Sequence, residues 1–173
     1  MSEQRLNSLL FVLIEGRWFA VSDTLVGQVD RFIQALPQTS PRIEDAQPDE
    51  TEPFYNARMA ADHPDDLLLL DAKIKRPGGA STGIEFCDLL SAAGELIHVK
   101  RKSRSSTLSH LFAQGSVSAT TFVSDGEYRD ELRRSILDAA PAGTEAKWLG
   151  LIPDGTASVD KHLYTICYVV LTK

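Results

Sequence analysis

The sequence predicts an α/β (α+β) domain with a mixed central sheet and flanking helices. Three observations carry this. Strand-like apolar runs at 67–75, 83–91 and 95–103 follow one another, with a helical stripe after them and a β-branched, aromatic run at 162–173. An amphipathic helix is legible near the start, with Leu25, Val26, Val29, Phe32, Ile33 and Leu36 at helical spacing. The 173 residues are 43% hydrophobic and 24% charged, and a chain of that size buries about 70% of its unfolded surface.

Taken in order, "LLFVLIEGRWFAVS" (9–22) reads as a hairpin, with Gly16 supplying the positive-φ turn position. The helix that follows begins at the cap candidates Ser22 and Asp23 and stops before Pro37. Residues 37–53 hold four prolines and five acids with almost nothing apolar, which marks an exposed, mobile connector. Pro53 suits the first turn of a short helix over 54–63. The runs 83–91 and 95–103 form a hairpin around Ala92-Ala93-Gly94. Leu108, Leu111, Phe112, Gly115, Ala119 and Phe122 make one helical stripe, in which Gly115 permits close packing. Ser124 and Glu127 form a capping box for a further helix whose inner face is Tyr128, Leu132, Ile136 and Ala139. The expected organisation is a single domain, with a hairpin-helix extension (1–36), the acidic connector (37–53) and a core (54–173).

Charge and cysteine usage narrow the function. A net charge of -6 argues against a protein that coats nucleic acid non-specifically, while leaving room for a local basic patch. Cys87 and Cys167 sit in apolar runs without metal-ligand spacing, so buried reduced thiols are expected. The apolar N-terminal run falls short of the roughly 20 residues of a membrane span. A cytoplasmic protein that does not enter the membrane is expected.

The chemistry concentrates between residues 73 and 114. With the turn centred near Ala93, strand alternation is expected to set Asp88 opposite His98 and Phe86 opposite Lys100, so that Asp88, His98 and Lys100 share a face. A carboxylate beside an imidazole orients it and raises its pKa, which suits a general base. A packed, hydrogen-bonded histidine is the other reading of His98. His110 and Gln114 follow at i and i+4 on the next helix, and Ser105-Ser106-Thr107 at its start offers backbone amides to a phosphate. Lys73, Lys75, Arg76, Lys100, Arg101, Lys102 and Arg104 are seven of the 18 basic residues. They form either a solubilising strand edge or a phosphate-contacting face, and their concentration favours the latter. Arg58, in the short helix, is open to a phosphate or to an ion pair with the acidic connector, the second being favoured.

The order helix, strand, strand, strand, helix, strand is similar to the α-β-β-β-α-β core of the PD-(D/E)XK nuclease superfamily. The resemblance implies a divalent cation, Mg²⁺ or Mn²⁺, bound through Asp88, with Lys100 as the motif lysine and Gln114 as the helix glutamine. The acid of the acid-x-lysine motif is replaced by His98, and Glu85 or Asp71 is the candidate to take its place. The expected catalytic residues are Asp88, His98, Lys100 and Gln114, with Asp88 and Glu85 on the metal. Lys73, Lys75, Arg76, Arg101, Lys102, Arg104, Ser106 and His110 are expected to contact nucleic acid.

The segments "EGRWFAVSDTLVGQVDRFIQALP", "YNARMA", "IEFCDLLSAAGELIHVKRKSRSSTLSHLFAQGSVSA" and "YTICYVV" resemble the C-terminal part of a sporadically distributed, uncharacterised bacterial family. That resemblance implies mobile or defence genes, and a separate protein partner supplying the N-terminal region of longer members. The expected function is a nucleic-acid-processing or nucleic-acid-binding protein of such a system, in its catalytic form a metal-dependent nuclease. The alternative is a non-catalytic protein-interaction or phosphate-ligand-binding domain on a degenerate nuclease scaffold.

Overall fold

The computed structural model describes residues 2–7, 9–37, 43–70, 73–74, 83–102 and 105–172. The chain divides into two compact units, Met1–Ser40 and Pro41–Lys173.

The first unit is an antiparallel sheet of β1 (Ser2–Leu6), β2 (Leu9–Ile14) and β3 (Arg17–Val21), followed by α1 (Asp23–Ala35). Glu15 and Gly16 both have positive φ, 49° and 77°, as a two-residue turn matched to strand twist requires. Ser22 Oγ accepts the Leu25 amide at 3.2 Å, so the expected cap is present, and Leu36 closes the helix ahead of Pro37. β1 was not legible, because "SEQRL" lacks apolar alternation.

In the second unit, α2 (Glu52–Asp62) precedes β4 (Leu67–Leu69), β5 (Lys73–Ile74), β6 (Ile84–Glu85), β7 (Leu89–Ser91) and β8 (Glu95–Arg101). Then come α3 (Ser105–Ser124), α4 (Gly126–Ala139), α5 (Glu145–Leu149) and β9 (Thr165–Leu171). The main sheet has the order β4-β7-β8-β9, antiparallel except for the parallel β8–β9 pair. The succession α2, β4, β7, β8, α3, β9 is the predicted helix, three strands, helix, strand, in a mixed sheet.

Two predicted strands are split. The run 67–75 divides into β4 and β5, and 83–91 into β6 and β7, with β5 and β6 paired as a separate ribbon. Between β6 and β7, Phe86 and Cys87 turn fully into the core. Apolar patterning does not distinguish that inward step from a continuous buried strand.

Apolar residues cover both faces of the sheet. Leu68, Leu90 and Leu96 pack with Phe86, Phe122, Tyr128, Leu132, Ile136 and Trp148 on the α3 and α4 side. Leu67, Leu89, Ile97 and Val99 pack with Tyr55 and Met59 of α2 on the other. Each such side chain contributes about 1.5–3 kcal/mol of burial. A Cβ on Gly115 would meet Tyr168 Oη at 2.5 Å, so the glycine lets α3 lie close on β9 as its position predicts. α4 is capped by Asp125, which accepts the Tyr128 amide at 3.0 Å; the expected Ser124 instead ends α3.

The described part of the connector, 43–50, packs on this unit instead of standing off it. Arg58 donates to both carboxylate oxygens of Glu50 at 2.8 and 3.0 Å, to Glu44 Oε2 at 3.1 Å and to the Asp45 carbonyl at 3.1 Å. The guanidinium holds the Glu50 carboxyl below the usual range. Arg58 is therefore the connector's ion-pair partner, the favoured one of its two expected roles.

Candidate functional site

The site forms where β7, β8 and the start of α2 meet. The ladder pairs Leu89 with Ile97, yet the Asp88 amide also donates to the Ile97 carbonyl, at 2.9 Å. Asp88 and Leu89 thus oppose one residue, as in a β-bulge, a device that re-aims side chains next to functional sites. The expected ladder pairing of Asp88 with His98 is displaced accordingly. The Asp88 carboxylate instead accepts the Val99 amide at 2.7 Å.

Lys100 Nζ donates to Glu52 Oε2 at 2.7 Å, and the other Glu52 oxygen accepts the Arg101 amide at 2.8 Å. Glu52 hydrogen-bonding, with Asp88 and Glu85 acting through space, raises the Lys100 pKa, so this ammonium stays charged. Gln114 Nε2 donates to Glu85 Oε2 at 2.9 Å. Four expected residues, Asp88, Glu85, Lys100 and Gln114, are therefore brought together, and Glu52 joins them. Sequence reasoning missed Glu52 because it was counted among the connector acids. The signal was its place ahead of Pro53, at the start of the helix that packs on the sheet.

His98 belongs to the packing under α3. It is 3% exposed, with Nε2 3.5 Å from Ser118 Oγ and its ring centroid 6.0 Å from that of Tyr168. Burial lowers its pKa from 6.5 to about 4, the reverse of the rise expected beside a carboxylate. A base for water needs a pKa near the working pH and access to that water, and an enclosed imidazole held down at about 4 has neither. In the window from pH 6.5 down to about 4, the unfolded chain takes a proton here that the folded chain refuses. Stability present above pH 6.5 is therefore lost on acidification through this window, by about 3 kcal/mol in all. We expect His98→Gln to remove this component: the wild-type minus variant difference in urea midpoint should shrink from pH 7 to pH 4.5. A constant difference would mean that the folded His98 takes its proton as readily as the unfolded one.

The basic residues are unevenly placed. Arg101 is spent on Glu50, whose carbonyl its guanidinium contacts. Lys102 and His110 are exposed. Lys73 lies in β5 and Ser106 in the first turn of α3. Lys75, Arg76, Arg104 and Asp71 fall outside the described residues. A cleft of about 450 Å³, lined by Asp49, Glu50, Thr51, Glu52, Pro53 and Arg101, opens beside the Lys100–Glu52 pair.

Among the described residues, three carboxylates, Glu52, Asp88 and Glu85, act on the one Lys100 ammonium, a formal balance of two negative charges. Such a cluster attracts a cation and repels a bare phosphate. The donors are hard oxygens, which suit Mg²⁺ or Mn²⁺. Among the described residues, no three His, Cys, Asp or Glu side chains stand grouped as a ready metal cage. Cys87 and Cys167, both buried and unpaired, take no part; burial pushes both thiols up, Cys167 to about 11.

The chain belongs to a family of unknown function, DUF6119, whose model matches residues 1–173. No curated protein and no solved structure matches it. Among the described residues, no helix is long and apolar enough to cross a membrane.

Proposed function

We propose that the chain is a metal-dependent phosphodiesterase acting on nucleic acid, on a core of the PD-(D/E)XK kind. The observation that carries this is the gathering of Glu52, Glu85 and Asp88 about the Lys100 ammonium. Asp88 and Glu85 are the carboxylates committed to a divalent cation. When bound, that cation supplies charge neutralisation at the phosphate and a more acidic water. Lys100 stabilises the charge that develops on the phosphate oxygens, and Gln114 fixes the Glu85 carboxylate. Lys102 and His110 face solvent and are available to the nucleic-acid backbone, and the concentration of Lys73, Lys75, Arg76 and Arg104 in the same stretch of sequence supports a phosphate-contacting role for it. His98 acts here as packing under α3. A setting in bacterial mobile or defence genes, in the cytoplasm, belongs to the same proposal. It rests on the family resemblance and on the two unpaired thiols.

The test is cleavage of end-labelled DNA and RNA with and without Mn²⁺. Wild type is expected to cut only with the metal, and Asp88→Asn to lose about 100-fold or more of that rate. Metal-independent cutting, or full activity in Asp88→Asn, would sink the reading.

A second reading is favoured by one specific observation: Glu52, Glu85 and Asp88 are each already held by a protein donor. On that reading the scaffold holds nucleic acid or a protein partner without turnover. Nucleic-acid binding that weakens steeply with salt, in a protein that never cuts, would select it.

A further inference from the structure

β9 stands at the open end of the main sheet, whose order is β4-β7-β8-β9. In a parallel pair, alternate residues of a strand direct both backbone groups at the same neighbour. The Thr165 amide donates to the Gly94 carbonyl at 3.2 Å and the Leu171 carbonyl accepts the Lys102 amide at 2.8 Å, so the odd-numbered residues of β9 face β8. Ile166, Tyr168 and Val170 therefore aim N–H and C=O away from the sheet, where no strand among the described residues meets them. Native edges are blunted by a charge, a proline or a bulge. The strand "TICYVVL" has neither charge nor proline, and its register against β8 runs unbroken from Thr165 to Leu171.

The connector turns the far half of this edge into a groove. A hollow of about 370 Å³ has residues 43–46 as one wall and 169–172 as the other. A second, of about 350 Å³, shares Ala46 and Thr172 with it and reaches Asp49 and Arg101, which also line the cleft beside the Lys100–Glu52 pair. Among the described residues, no backbone hydrogen bond joins 43–46 to 169–172, so the connector leaves the outward groups of Val170 open. Glu44 and Glu50 are paired with Arg58, and Glu52 with Lys100. Asp45 and Asp49 are exposed and make no ion pair among the described residues.

We propose that the β9 edge takes an extended, basic segment of a partner protein as an added strand. Main-chain hydrogen bonds to Tyr168 and Val170 hold it, and its lysines or arginines meet Asp45 and Asp49. Ile43 and Ala46 pack with Cys167 and Leu171, on the α2 face of the sheet. Side chains of an added strand alternate between the two faces, so every second one meets the connector and the others lie beside Ile166 and Val170. Alternating basic and apolar residues satisfy both. A second copy of the chain would offer this same uncharged strand, with no cation to set against the two acids. A nucleic acid would bring phosphates to a negative wall. The inference is independent of the phosphodiesterase reading, because Asp88 and Lys100 take no part in it.

The experiment is calorimetric titration of the full chain with a synthetic peptide of alternating lysine and valine. Its glutamate-valine counterpart and two forms N-methylated on alternate residues, one at the lysines and one at the valines, serve as controls. Wild type is expected to bind the lysine peptide about tenfold or more tighter than the glutamate one, and Asp45→Lys/Asp49→Lys to erase that preference. A strand pairs through alternate N–H groups, so one methylated form should lose about tenfold or more and the other keep the parent affinity. Val170→Pro removes an outward N–H without touching the ladder to β8, and should weaken binding by a similar factor in a protein whose fold is checked by thermal melting. Should that variant fail to fold, the two methylated peptides decide. Absence of binding overturns the inference, as do methylated forms that both bind like the parent, which would mean charge attraction alone. A wild type that sediments as a dimer and becomes a monomer in Val170→Pro also overturns it, by giving the edge to a second copy. The two readings fail separately. Peptide binding in a protein that cuts neither DNA nor RNA removes the phosphodiesterase and keeps the edge; metal-dependent cutting without peptide binding does the reverse.

Discussion

Lys100→Ala is expected to reduce nucleic-acid cleavage by about 100- to 1000-fold, the scale for removing a positioned donor at developing charge. The same substitution should leave the fold nearly untouched. The Lys100–Glu52 pair is about a third exposed on the lysine side, 32%, and 27% on the glutamate side, and pairs that reach solvent contribute about 1 kcal/mol at most. The Arg101 amide still holds the other Glu52 oxygen at 2.8 Å, so α2 stays pinned to β8. Lys100→Arg separates charge from geometry, because the planar fork keeps the positive charge but not the compact ammonium. Its rate should fall between those of wild type and the alanine variant. Activity within threefold of wild type in Lys100→Ala, together with a clear loss of stability, would mean that the lysine serves only to staple α2.

Much of this arrangement is legible from period and turn chemistry. The β8 run, its hairpin through Gly94 and the α3 stripe with Gly115 all follow from residue type at fixed spacing. Long elements with strong periodicity leave little alternative. What fails is what periodicity cannot register. The bulge at Asp88 is one extra residue, and it moves the carboxylate from His98 to the Val99 amide. The inward step of Phe86 and Cys87 looks like strand because a fully buried segment has no alternation to lose. Glu52 reads as one more acid of a disordered-looking tract, because its role depends on contacts with residues some fifty positions away. Arg129 reads as exterior on the α4 wheel and is buried.

Arg129 carries the largest stability effect expected in the chain. It is 4% exposed, and among the described residues its guanidinium is satisfied by backbone carbonyls and by no carboxylate. Nη1 donates to Phe122 at 2.9 Å and Val123 at 3.4 Å, in the last turn of α3, where unsatisfied carbonyls carry the negative end of the helix dipole. Nε and Nη2 donate to Asp154, Gly155 and Ala157 at 3.3, 3.1 and 2.9 Å, tying that turn to the junction. The Gly155 amide in turn donates to Asp130 at 2.8 Å, and a Cβ on Gly126 would sit 2.1 Å from the Gly155 carbonyl. Arg129→Met keeps most of the volume and strands five carbonyl contacts, so the loss should be about 3–5 kcal/mol in urea or guanidinium unfolding. Arg129→Lys should recover only part of it, because three donors from one nitrogen cannot span both the α3 end and the 154–157 turn. A loss below 1 kcal/mol in Arg129→Met would show that water replaces the guanidinium. Because α3 also carries Gln114, a loosened junction should weaken the hold on Glu85 and lower cleavage in a variant that never touches the site.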